Sequence, residues 1–347
     1  MTARVRHRYS LLRSFLVGVT WLSLACVPLQ NLEPIETVWV LEEDEWERLV
    51  NRRSLSPVAA TESSYVLEHA EAEACLLYIA EVGVSADQFF DREQGGVGKW
   101  LWRRGFSILS VAVPEQALDV TAWREKATNH LMTVLRPYKK SCGQRPLVGI
   151  GHGIGGSLLL ESDVNKELSA VALLSVPLTY AGTSVATQAL LKSPLDWGWR
   201  DLVGYPVPSN FAGSKTMEEV VSTNQTSSPE RFEFYRSETK RLPLTFRRSV
   251  LTEVSSVKNL EIRPDIKSWL YGTQPAFIVL PSGNGWVSTW QADPIALGAP
   301  ASRAKRVYIT RANGSIGEFN HFDIFWAEDA ITEVWSPLAR WLKESQF

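Results

Sequence analysis

Four continuous apolar runs of strand length alternate with helical stretches between residues 75 and 177. They are "CLLYIAEV" (75–82), "FSILSVAVP" (106–114), Pro146–Ile150 and "LSAVALLSVP" (168–177). Between them, "GVGKWLWRRG" carries a helix that ends at Gly105. "DVTAWREKATNHLMTVLRPYKK" has helical periodicity, with Trp123, Ala127, His130, Leu131 and Val134 roughly on one face. An unbroken apolar run suits a strand covered on both faces, and strands separated by helices pair in parallel. The pattern predicts an α/β fold with a mostly parallel central sheet flanked by helices.

After Pro177 the rhythm stops. Residues 180–272 are polar, rich in Ser, Thr and Pro, and helical where patterned ("FRRSVLTEVSSVKNL"), with no buried strand expected. Alternation resumes at "PAFIVLPSG" (275–283) and "RAKRVYIT" (303–310). A closing helix from about Ala327 to Glu344 carries the stripe Ile331, Val334, Trp335, Leu338, Trp341 and Leu342. The expected organisation is a core in two pieces, 63–179 and 273–347, with 180–272 inserted as a cap and 27–62 as a linker or edge segment. Within and just after that segment, "ETVWVL" and "SYVLEH" are candidate edge strands.

Residues 1–26 read as a targeting segment. Arg4, Arg6, Arg8 and Arg13 precede the apolar stretch Ser14–Ala25, which is shorter than the roughly 20 residues a spanning helix needs. The stretch ends in "LSLAC", which resembles a bacterial lipobox and predicts lipidation at Cys26; Ser23 stands where leucine is usual. The alternative is a plain signal peptide that contains a cysteine. Export permits a disulfide between the remaining cysteines, Cys75 and Cys142. One begins a strand and the other precedes its expected neighbour, so they are either bridged or two separate small hydrophobes.

Basic and acidic residues number 36 and 38 and are well mixed, for a net charge of −2. Nucleic-acid binding needs a basic surface, so no such partner is expected. No metal-ligand spacing, phosphate-binding loop or dinucleotide fingerprint occurs, so no cofactor is expected.

The stretch "RPLVGIGHGIGGSLLLES" (145–162) reads as a buried strand, a tight glycine turn and a helix from about Ile154. Gly151 and Gly155 frame it as the glycines frame a G-x-S-x-G nucleophile elbow, with Gly153 where the serine would be. The tail "NHFDIFWAEDAITEVWSPLARWL" is similar to that of bacterial lipase- and esterase-like proteins. Together with the layout of strands and cap, these features resemble the α/β-hydrolase fold over about 75–347. The resemblance implies a helical cap between strands 6 and 7, and four elements of acyl-transfer chemistry: nucleophile, histidine, acid and oxyanion hole.

Taken one at a time, those elements fall on unusual residues. The nucleophile position is Gly153, and Ser157, one helical turn on, is expected to point into packing. The histidine position is His321, either a general base or an imidazole packed among Phe319, Phe322 and Phe325. The acid position holds no carboxylate; Asn284 is nearest and Asp293 lies further along. The oxyanion position reads Ala80-Glu81, which would place negative charge where negative charge has to be stabilised. His152, before the nucleophile position, is expected to serve turn geometry.

These substitutions predict a pseudoenzyme of the serine-hydrolase type, exported and lipid-anchored in a bacterial envelope, periplasmic or attached to the outer membrane. Its expected work is binding an apolar small molecule or an envelope protein. The rival reading is a hydrolase or lyase in which Glu81 and His321, opening on one cleft, act on an ester or lipid-like substrate.

Overall fold

A computed structural model describes residues 64–89, 96–113, 120–181, 262–284, 286–315, 319–327 and 329–345, with isolated residues between 183 and 250. The targeting segment, Cys26, "ETVWVL" and most of 180–272 lie outside the described residues.

Seven strands form one sheet in the order β1-β3-β2-β4-β5-β8-β9. They are β1 (Ser64–Leu67), β2 (Ala74–Ile79), β3 (Phe106–Val111), β4 (Leu147–His152), β5 (Ala170–Leu174), β8 (Ala276–Pro281) and β9 (Ala304–Ile309). All neighbours pair in parallel except β1, which runs antiparallel to β3 at the edge. Every residue of β2, β3, β4, β5 and β8 is buried, as the unbroken apolar runs require. The edge strand β9 instead exposes Lys305 and Arg306, charges that discourage pairing with another chain. In 180–272, expected to be helical and without a buried strand, β6 (Trp197–Gly198) and β7 (Arg241–Leu242) form a short antiparallel pair.

The helices are α1 (Gly96–Trp102), α2 (Val120–Cys142), α3 (Gly153–Gly156), α4 (Ser162–Asn165), α5 (Pro264–Leu270), α6 (Thr289–Ala292), α7 (Asp323–Trp326) and α8 (Ser336–Glu344). Trp123, Ala127, Leu131 and Val134 of α2 are buried, as the periodicity predicts, whereas His130 is half-buried. Helix α5 lies ahead of the boundary placed at residue 273, yet its Ile266, Trp269 and Leu270 belong to the main core. Arg263 at its start is ion-paired with Glu161.

The closing helix is unbroken from Ala330 to Glu344 but changes pitch along its length. A π-turn over Ile331–Trp335 leads into α8, with Pro337 in the first turn of the latter. Proline has no N–H and its ring crowds the carbonyl four residues back, and the wider π-turn ahead of it accommodates both within a helix that carries on. The turn carries Trp335 fully inside, where its Nε1–H donates to the Ile324 carbonyl at 2.6 Å. Val334, Leu338, Trp341 and Leu342 of the predicted stripe are buried, and Ile331 packs at the margin.

Cys75 and Cys142 form a disulfide with their Cα atoms 6.2 Å apart. It ties the end of α2 to the start of β2, where the Cys75 N–H also donates to the Pro146 carbonyl just before β4.

Candidate functional site

The site lies at the carboxyl ends of β2 and β4, the side of a parallel sheet where α/β proteins hold ligands. Strand β4 ends at His152 and the chain turns at Gly153, whose φ of +52° is the left-handed conformation a strained strand-to-helix turn demands. The glycines around it allow close approach. A Cβ on Gly155 would collide with the Ala80 carbonyl, and one on Gly151 would run into Gly156. The first turn of α3 therefore lies directly against the end of β2, where Glu81 begins.

Glu81 is fully buried and turns inward. Its Oε1 accepts the N–H of Val82 at 2.6 Å and that of Ile154 at 3.1 Å, with Gly155 N–H at 3.4 Å. Its Oε2 lies 3.1 Å from the Ile154 nitrogen and 2.9 Å from Nε2 of His321. In the hydrolase fold, the N–H after the nucleophile and one from the loop after the third strand bind the oxyanion. Here Ile154 comes after Gly153 and Val82 lies in the loop after β2, the strand that takes the place of that third strand, and both donate to Glu81. A Cβ on Gly153 would overlap Oε2 of Glu81 outright and come within 3.0 Å of His321 Nε2.

His321 follows β9, fully buried between His152 and Phe322. Its Nδ1 is 3.1 Å from Nδ2 of Asn284. The Oδ1 of Asn284 accepts the N–H groups of Trp286 and Val287 at 2.9 and 3.0 Å, so Nδ2 is the atom that faces the ring. Asn284 therefore donates to Nδ1, and the ring proton is assigned to Nε2, which donates to Glu81. A carboxylate at position 284 would instead have required Nδ1–H and left Nε2 free to accept a proton. The amide at the acid position reverses the tautomer. Asn284 stands in the sequence where the resemblance puts the acid, and its amide nature was the signal for this.

Burial sets the charges. It pushes the Glu81 carboxyl up to about 6, although the N–H groups of Val82, Ile154 and Gly155 pull the other way. Burial pushes His321 and His152 down to about 3, and the adjacent His321 ring lowers His152 further. At neutral pH the centre is thus one carboxylate beside two neutral imidazoles.

The remaining candidates fall outside this cluster. His152 donates from Nε2 to the His321 carbonyl at 2.9 Å and so fixes the loop that carries His321; its Nδ1 has no hydrogen-bond partner among the described residues. Ser157 Oγ donates to the Ile154 carbonyl at 2.7 Å and is buried in packing. Asp293 accepts from Tyr308 OH at 2.6 Å and Arg306 at 2.9 Å, away from the imidazoles. Among the described residues no group of three or more His, Cys, Asp or Glu side chains is placed to hold a metal ion. No described helix is long and apolar enough to cross a membrane.

One residue was not singled out from the sequence. Ser175, directly after β5, is the only non-glycine residue at positive φ among those described, at +54°. It is buried and its Oγ has no hydrogen-bond partner there. The register pairs His152 with Leu174, so the two left-handed residues Gly153 and Ser175 follow adjacent strand ends.

No family model matches the sequence, and no curated protein matches it. Solved structures do match in fold. A hydrolase from Oleispira antarctica superposes with a TM-score of 0.53 at 10% identity, covering 83% of this chain and 97% of its own. An esterase from Exiguobacterium antarcticum gives 0.51 at 11% identity, covering 81% and 96%. A thermophilic esterase from Thermogutta terrifontis gives 0.50 at 13% identity, covering 80% and 93%. With the mostly parallel sheet of seven strands among the described residues, these matches define the fold of the chain as the α/β-hydrolase fold.

Proposed function

We propose that this protein is a non-catalytic member of the hydrolase fold that works by binding, exported and lipid-anchored in a bacterial envelope. The observation that carries this reading is the position of Glu81. Its carboxylate takes the N–H groups that would stabilise an oxyanion and fills the space of a side chain at position 153. A fixed negative charge there opposes formation of a second one. The His321 tautomer leaves no lone pair on Nε2 to activate a hydroxyl. Export is supported by the Cys75–Cys142 disulfide, a bond of oxidising compartments. The ligand or partner is an apolar small molecule or an envelope protein, taken through the insertion at 180–272.

The test is hydrolysis of a panel of esters and thioesters by the mature domain, with His321→Ala alongside. No turnover, or the same trace turnover in both, is expected; turnover that depends on His321 overturns the reading. Mass spectrometry of the membrane fraction tests the anchor, which fails if the mature N-terminus lies beyond Cys26.

The 2.9 Å contact between Glu81 and His321 favours a second reading. A buried carboxylate whose pKa is raised to about 6 suits a general base for water or a C–H proton, without a covalent intermediate. That enzyme would act on an ester or lipid-like substrate and show a rate that rises with pH through about 6 and vanishes in Glu81→Gln.

A further inference from the structure

Four N–H donors from three separate stretches of chain converge on one carboxylate: Val82, then Ile154 and Gly155, then the His321 ring. A carboxylate is an acceptor only, and here the two oxygens are divided between the donors as a bound anion would divide them. The enclosure is closed off from bulk solvent, since Glu81, His152 and His321 are all fully buried. The imidazole is fixed as a donor by Asn284, and Asn284 is fixed by Trp286 and Val287. The imidazole donor thus does not depend on the glutamate for its orientation.

We propose that these groups form a carboxylate-binding site whose resident ligand is the chain's own Glu81, and that the vacated site takes a two-carbon carboxylate from solution. Shape selects that length. Glu81→Ala removes one methylene and the carboxylate, which together are the heavy atoms of acetate. With Glu81 in place the site accepts nothing from outside, because its donors are used and its volume is filled. The inference concerns the chemistry of the site and holds whether or not the protein binds a ligand through its insertion or turns over a substrate. Ester turnover leaves it standing, and failure of the experiment below leaves the binding reading standing.

The experiment is thermal unfolding of the full chain as wild type, Glu81→Ala and Glu81→Ala/His321→Ala, in sodium acetate, butyrate or chloride at matched ionic strength. Ligand that binds only the folded state raises its stability with the logarithm of concentration above half-saturation. Acetate is expected to raise Tm of Glu81→Ala by roughly 2–5 °C per tenfold increase there. Butyrate and chloride should raise it far less, the wild type should not respond, and the double variant should lose most of the effect. Equal shifts in wild type and Glu81→Ala, or no difference between acetate and chloride, overturn the proposal. Glu81→Ala that cannot be recovered folded even from acetate buffer also overturns it. A readout on the wild type stands apart from folding of any variant: ring 15N shifts must show the His321 proton on Nε2, and a proton on Nδ1 alone removes the fourth donor.

Discussion

Oε2 of Glu81 lies where a side chain on residue 153 would begin, so the two positions compete for one space. The glycine at 153 is therefore a condition for Glu81 to be buried, and each residue constrains the other. Gly153→Ala in the wild type has to adopt φ near +52° and displace a buried carboxylate. A cost of about 3 kcal/mol or more is expected, of which the left-handed backbone accounts for about 1–2. In the Glu81→Ala background the backbone part and the lesser crowding against His321 Nε2 should remain. A double-mutant cycle by urea unfolding should thus give a coupling of roughly 1–3 kcal/mol; additive costs would mean that the overlap is relieved elsewhere.

Acid should destabilise the fold in two stages. His152 and His321 have folded pKa values of about 3, below the unfolded 6.5, so the stability from their neutral burial is complete above 6.5 and lost as pH falls toward 3. Each bound proton contributes about 1.4 kcal/mol per pH unit to that loss. Glu81 acts in the opposite direction. Its folded pKa of about 6 exceeds the unfolded 4.5, so the folded state takes up a proton first and regains stability as pH falls through that window. A plot of unfolding free energy against pH should fall below 6.5, flatten to about half that slope between 6 and 4.5, where Glu81 offsets one of the two histidine protons, and steepen again below 4.5. In Glu81→Ala the flattening should be absent. A slope in the wild type that does not lessen between pH 6 and 4.5 would refute the assignment of the raised pKa to Glu81.

Asn284→Asp should charge His321. An aspartate there would still accept the N–H groups of Trp286 and Val287 while offering a carboxylate to Nδ1. The ring would then lie between two carboxylates and hold both protons. NMR titration should show the His321 pKa rising from about 3 by several units. A ring that remains neutral at pH 6 would contradict the tautomer argument.

Ser175→Gly should stabilise the protein by about 1 kcal/mol, because glycine takes the left-handed conformation without crowding and the buried hydroxyl disappears. Chemical denaturation measures this directly. A loss of stability would show that the Ser175 hydroxyl makes a contact with residues outside those described.

Reduction of the disulfide is expected to cost about 4 kcal/mol by the loop-closure relation, since it spans a separation of 67 residues. Unfolding with and without reductant, and a thiol count on the unreduced protein, give the comparison. Equal midpoints would place the two cysteines in the reduced form.

Much of the core was legible because its signals are local. The apolar runs gave β2 through β5, β8 and β9, and the glycine spacing gave the turn after β4. His321, Gly153 and Glu81 were found from their places along the chain. That Glu81 and His321 open on one cleft was legible, and they stand 2.9 Å apart; the overlap of Glu81 with the space at residue 153 was not, because its inward rotation depends on how closely α3 approaches β2, and Gly155 alone hints at that. Asn284 was noticed as a missing acid, while its effect on the ring proton needed the orientation fixed by Trp286 and Val287. Ser175 carries no sequence mark at all, since serine before a turn is ordinary and its φ is imposed by the sheet. The closing helix was legible from its apolar stripe, and only the π-turn ahead of Ser336-Pro337 was not.

The disulfide and Glu81 act at opposite ends of the same two neighbouring strands. Cys75 ties the start of β2 to the end of α2, just ahead of β4, and Glu81 ties the end of β2 to the turn that leaves β4. Sliding one strand along the other by a single residue, about 3.3 Å, would break both ties at once. The pair is locked against shear by a covalent bond at one end and by a buried charge at the other. Reduction of the disulfide and Glu81→Ala should therefore act on one mechanical unit, and either alone should leave the strands in register.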